Sequence, residues 1–95
     1  GRADSGYADK IRAKIRQNTT FIVPDGLSGN PAVEFNVELL PDGSLRGEPR
    51  LLKQSGVPGF DEAVKRAIER SQPFPPDKSG TVPSRFIVVH KPKDQ

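Results

Sequence analysis

Residues 33–39 alternate Val33, Phe35, Val37 and Leu39 with Glu34, Asn36 and Glu38, the two-residue period of a strand with one buried face. Pro41-Asp42-Gly43 follows at once and predicts a three-residue loop. Proline presets the first turn angle, aspartate suits the next position, and glycine can take the left-handed conformation of a bulge. A loop of that length sets Leu40 opposite Ser44, Leu39 opposite Leu45 and Val33 opposite Leu51. On the other face it sets Glu38 against Arg46 and Glu34 against Arg50, each such pair contributing ~0.2–1 kcal/mol. A two-residue turn would instead face Leu39 with Arg46, so the pattern itself selects the longer loop. The 95 residues provide one modest core, which predicts a single domain over 1–95 with an ordered core over about 7–92.

The net charge of +3 is unevenly placed. Residues 1–18 carry five cations (Arg2, Lys10, Arg12, Lys14, Arg16) against Asp4 and Asp9, which is +3, while residues 19–95 carry ten charges of each sign. The chain has no cysteine, which removes disulfides, thiolate metal sites and thiol catalysis. No run approaches the ~18 apolar residues of a membrane span, and no signal-peptide pattern follows Gly1. The solvated ends suggest a domain excised from something longer.

Residues 7–17 have helical periodicity, with Tyr7, Ala8, Ile11 and Ile15 in one narrow arc. Lys10 and Lys14 flank the arc on one side, Arg12 and Arg16 on the other, and Asp4 or Ser5 can cap the start. The cations read as a solvated rim whose stems lie along the core edge, since a dedicated nucleic-acid-binding face clusters more charge. Phe21-Ile22-Val23 is either a brief strand or a loop pinning side chains into the core, and 24–31 is turn chemistry that predicts a mobile loop. The Asn18-Thr19-Thr20 glycosylation triplet is common by chance and carries no weight. After the break at 55–59, Phe60, Ala63, Val64, Ala67 and Ile68 form a second helical stripe, with Asp61–Lys65 and Glu62–Arg66 as favourable pairs. Pro73, Pro75 and Pro76 stop it, and Phe74 between them is expected to dock back on the core. Residues 85–90 are a β-branched apolar run bounded by Pro83 and Pro92, which predicts a strand.

The fold expected is α+β, in the order α-β-β-α-β. Gly47 and Pro49 confine the second strand to an edge. A three-stranded antiparallel sheet of order 2-1-3 follows, with both helices on the Val33/Phe35/Val37 face. The third strand then occupies the other edge, apolar on both faces and without the charge or proline that usually blunts one. Residues 21–23 or a second copy could cover it. Equally, an extended segment of a partner could add there as a further strand.

The residues offer little chemistry. His90 is the only histidine, too few nitrogen or sulfur ligands for the corresponding metal site, and at a strand end it reads as a partly exposed structural residue. No serine sits in a nucleophile elbow, and the glycine-bearing loop 26–30 lacks the spacing and lysine of a phosphate cradle. Glu34 and Glu38 share a face, but their arginine partners make them structural. No enzyme, metal or cofactor is expected.

Tyr7-Ala8-x-Lys10-Ile11 with Ile15, Leu40-Pro41-Asp42-Gly43, Ser55-Gly56-x-Pro58-x-Phe60-Asp61-x-Ala63-Val64-x-x-Ala67-Ile68 and Pro73-Phe74-Pro75 together resemble the C-terminal domain shared by TolA and TonB proteins. The similarity runs from Tyr7 to about Pro92. It is closer to TolA, because TonB-like domains tend to begin the first helix with Tyr-Pro and here Ala8 follows Tyr7. Some TolA domains carry a disulfide, which this chain lacks. The resemblance implies a periplasmic domain of an inner-membrane-anchored protein of the Tol–Pal system, which maintains the envelope during division. Its implied partners are the N-terminal segment of TolB, taken up by strand addition, and colicin translocation domains or filamentous phage adsorption proteins that exploit the same domain. Nucleic acid and direct membrane contact are not implied. The partner's strand would lie along Arg85, Phe86, Ile87, Val88, Val89 and His90, with Arg85 and the cations of the first helix (Lys10 and Lys14, and with them Arg12 and Arg16) as candidate contacts for acidic residues of the ligand. A TonB-type transducer contacting outer-membrane transporters is the alternative, and a basic nucleic-acid module a more distant one.

Overall fold

Val33, Phe35, Val37 and Leu39 are all buried, and the rest of the molecule is arranged around that stripe. The computed structural model describes residues 5–94. They form α1 (Ser5–Asn18), β1 (Val33–Glu38), β2 (Arg50–Lys53), α2 (Phe60–Arg70), β3 (Arg85–His90) and a closing 3-10 turn (Pro92–Asp94). The sheet is antiparallel in the order β2-β1-β3, the architecture expected. α1 supplies Tyr7, Ile11 and Ile15 to the core, and α2 supplies Phe60, Ala63, Val64, Ala67 and Ile68. Ala8, expected within the same arc, is exposed at its margin. The cap expected of Asp4 or Ser5 lies outside the described residues and side chains.

The hairpin loop forms as its residues dictate. The Leu40 N–H donates to Ser44 O (2.8 Å), the Gly43 N–H to Leu40 O (2.9 Å) and the Arg46 N–H to Glu38 O (2.8 Å), while Leu39 faces Leu45. Gly43 has φ +90°, and its carbonyl accepts the Phe74 N–H at 2.7 Å. Phe74 is buried as expected, its ring edge-on to Phe86 at 5.5 Å. The turn is thereby fastened to the segment that follows α2.

Beyond Arg46 the expected register fails. From Glu38 to Asn36 β1 advances two residues while its partner advances four, from Arg46 to Arg50. Gly47 has φ +78° and Pro49 has no N–H to contribute, so the extra residues bulge out where proline is tolerated. Asn36 therefore faces Arg50, Phe35 faces Leu51, and a second irregularity leaves Glu34 facing Lys53. The Val33–Leu51 and Glu34–Arg50 pairings do not exist, and Leu51 and Leu52 are exposed. Among the described residues Glu38 and Arg46 stand opposite without closing an ion pair.

The helix pairs are corrected too. The Asp61 carboxylate accepts the Ser55 N–H (3.1 Å) and hydroxyl (2.5 Å), and Lys65 reaches Glu48 at 3.5 Å. Glu62 and Arg66 form no ion pair among the described residues. Residues 19–24 form no strand: Phe21 packs edge-on to Phe60 at 5.1 Å, and Ile22 is 90% exposed. The loop expected to be mobile is tied down at its far end. Lys93 donates through its backbone N–H to Asn30 Oδ1 (2.8 Å) and through Nζ to Leu27 O (2.9 Å).

Gly43 and Gly47 separate two costs of adding a methyl group. Both need the left-handed conformation, but only at Gly43 would a Cβ run into the Phe74 backbone. Gly47→Ala is expected to cost about 1–2 kcal/mol. Gly43→Ala should cost clearly more, read as a larger drop in the urea midpoint.

Candidate functional site

The Leu39 N–H donates to Ser84 O at 2.8 Å. In an antiparallel ladder the residues that exchange hydrogen bonds recur every second position. With Val33 opposite His90, Phe35 opposite Val88 and Val37 opposite Phe86, those three β3 residues bond to β1. Arg85, Ile87 and Val89 therefore turn their N–H and C=O groups to the outer edge, and among the described residues no other strand pairs with β3. The side chains alternate with the same period. Phe86 is half-buried and Val88 and His90 are buried, whereas Ile87 is 53% and Val89 40% exposed.

Alongside that edge runs α1. Tyr7, Ala8, Ile11, Arg12 and Ile15 form one wall of a groove whose other wall is residues 86–89 of β3. Three aromatic rings consolidate its end: Tyr7 meets Phe86 edge-on at 6.4 Å, and Phe86 meets Phe74. The Tyr7 hydroxyl donates to Pro75 O (2.8 Å). Burial, seconded by the Asp77 carboxylate, pushes its pKa up to about 12, so it stays a neutral donor. At the opposite end the groove opens into a cleft lined by Arg12, Val89, His90, Lys91 and Asp94. The walls are apolar along most of the length, and cations gather at one end.

Of the positions singled out from sequence, the structure gathers 86–89 at the groove and leaves Arg85 exposed at the start of β3. Lys10 and Lys14 lie elsewhere. Lys14 Nζ donates to Pro73 O (2.9 Å) and sits 5.8 Å from the Phe74 ring centre, while Lys10 borders a dent with Pro76 and Asp77. His90 is not partly exposed but 2% exposed, because it faces the fully buried Val33 on the inner side of the sheet. Its ring stacks on Phe60 at 5.8 Å and 24°, and its buried Nε2 has no hydrogen-bond partner among the described residues. The sequence assigns Tyr7, Ala8, Ile11 and Ile15 of the α1 wall to the core and counts Arg12 among the helix cations that could meet an acidic ligand. The signal for the wall was Ala8 beside Arg12, a small residue that leaves space next to a cation.

The structure is an antiparallel three-stranded sheet with two helices on one face and a groove along an open edge, the architecture expected of a TolA/TonB-type C-terminal domain. The chain matches the family model described as TonB C terminal over residues 4–89, and it belongs to that family. Its fold is similar to the solution NMR structure of TolAIII bound to a peptide derived from the N-terminus of TolB. The TM-score is 0.72 at 22% identity, covering 100% of this chain and 80% of that one. No curated protein matches the chain.

His90 generates a pH dependence. Burial first, then the Arg16 and Arg12 charges against the opposing Asp94, holds its pKa below the ordinary 6.5. The unfolded chain thus binds the extra proton first, and stability falls as pH drops through that value. Thermal midpoints of the wild type should decline between about pH 7.5 and 5, whereas His90→Phe, which keeps a ring on Phe60, should flatten that decline.

Proposed function

We propose that this chain is a single periplasmic protein-recruiting domain of a TolA-like, inner-membrane-anchored protein of the Tol–Pal system. It takes up an extended segment of a TolB-like partner as a fourth strand along β3. The observation that carries this reading is the open ladder of Arg85, Ile87 and Val89 bordering the α1 groove. An added strand would complete those hydrogen bonds, and its alternate side chains would enter the groove beneath Tyr7 and Ile11. The likeness in fold to TolAIII, solved bound to a peptide derived from the N-terminus of TolB, supports a TolB-like partner. Colicin translocation domains and filamentous phage adsorption proteins would use this edge by the same physics. No described helix is long and apolar enough to cross a membrane; in this reading the inner-membrane anchor would lie in another part of the parent protein. An ordering ligand gives up free energy on binding, which favours an affinity of about micromolar or weaker.

The family match over residues 4–89 favours a second reading, a TonB-type transducer that contacts outer-membrane transporters. It differs in partner, while an extended segment would meet the same edge.

Proline separates edge recognition from folding. Ile87 points its N–H outward, so Ile87→Pro removes a donor to the ligand without removing a β1–β3 bond. In an NMR titration with a TolB N-terminal peptide, wild-type Ile87 and Val89 amides should shift, and Ile87→Pro should weaken binding at least about tenfold, the loss of one or more main-chain bonds. Unchanged affinity in a folded Ile87→Pro protein would sink strand addition at β3.

A further inference from the structure

Main-chain pairing alone leaves the position of a docked strand undetermined. Sliding a ligand by two residues along β3 restores the same hydrogen bonds and the same facing of its side chains. The apolar wall of Tyr7, Ile11 and Ile15 does little to resist that slip, since one aliphatic residue fits there much as another does. Only at the Val89 end does the groove change character. Arg12 lines both the groove and the adjoining cleft, and Lys91 borders that cleft.

Resting on the strand-addition reading, we infer that the groove recognises a carboxylate side chain on the docked segment, held between Arg12 and Lys91, and that this acid sets the segment's register. The charges around the position favour it. Arg12 is paired with Asp9 at 3.4 Å, but both side chains are largely exposed (48% and 75%), and such a pair is weak enough to yield to a better-placed acid. Arg16 adds positive charge close enough to depress His90. Asp94 lines the same cleft and stays negative while accepting Asn30 Nδ2 at 2.9 Å, so the two lining cations, Arg12 and Lys91, outnumber the one lining carboxylate. The His90 ring is buried against Phe60 on the inner face of the sheet, which leaves Arg12 and Lys91 as the cations lining the cleft. An acid there would be held by charge-assisted hydrogen bonds while the rest of the segment supplies apolar side chains at every second position.

The test uses nine-residue peptides of alternating valine and serine, acetylated and amidated so that the ends carry no charge. One set has aspartate, serine or lysine at the N-terminal position, a second set has them at the C-terminal position. Binding is followed through the Ile87 and Val89 amides. At one end only, aspartate should bind about tenfold tighter than serine and lysine weaker than serine, as expected for a desolvated charge pair. In Arg12→Glu the preference at that end should pass to lysine. Arg12→Gln, should the reversal disturb the fold, should erase the preference instead. If all the peptides shift those amides with equal affinity, the carboxylate readout is wrong and strand addition survives. If an aspartate preference persists unchanged in Arg12→Glu, the readout lies elsewhere and the inference fails. If none of the peptides moves the Ile87 or Val89 amides, both readings fall together.

Discussion

Each residue of β1 has one backbone donor and one acceptor, and successive residues must aim them in opposite directions. Here the even-numbered positions turn toward the hairpin partner and the odd-numbered ones toward β3. The same odd-numbered residues, Val33 to Leu39, carry the apolar side chains that α1 and α2 cover. One strand thus organises both dimensions of the domain, the sheet plane through its backbone and the layer above it through its side chains. With β1 saturated on both flanks, any unused pairing capacity belongs to the outer strands. They are unequal. β2 has four residues, a bulge with Pro49 before it and charged ends at Arg50 and Lys53, all of which discourage a visitor. β3 has six residues, an unbroken ladder and no proline inside it.

Local chemistry was legible wherever neighbours in sequence decide the outcome. The Pro41-Asp42-Gly43 loop, the two helical stripes, the docking of Phe74 and the strand order follow from periodicity, turn residues and the restriction on proline. Register was legible only as far as Arg46. Past that point the alternation of acids and bases was compatible with a continuous ladder, and Gly47 and Pro49 signalled an edge without saying how many residues would bulge. The helix pairs failed for a related reason. Asp61 had two suitors, Lys65 one turn away and Ser55 in the preceding loop, and the loop won because it offers both a backbone N–H and a hydroxyl.

The site was half legible. A continuous apolar run at 86–89 marks a strand but hides its parity, since nothing polar distinguishes one face from the other. His90 inherits its burial from Val33 across the ladder, a relation set by register and invisible in its own flanking residues. The groove needs one more level of information, the placement of α1 next to the edge. Its cations looked equivalent in sequence, yet tertiary packing sorts them: Lys14 is spent on Pro73 and the Phe74 ring, and Arg12 is left beside Val89.

The alternation along β3 separates side chains that the core constrains from side chains that it does not. Phe86, Val88 and His90 are pinned by core packing, while Arg85, Ile87 and Val89 offer backbone that any amino acid except proline would offer as well. Outward side chains can therefore change without altering the hydrogen-bonding groups of this edge. Groove-side residues such as Ala8 and Arg12 are a separate variable: substituting them changes the shape and charge beside the edge while the backbone ladder of β3 stays as it is.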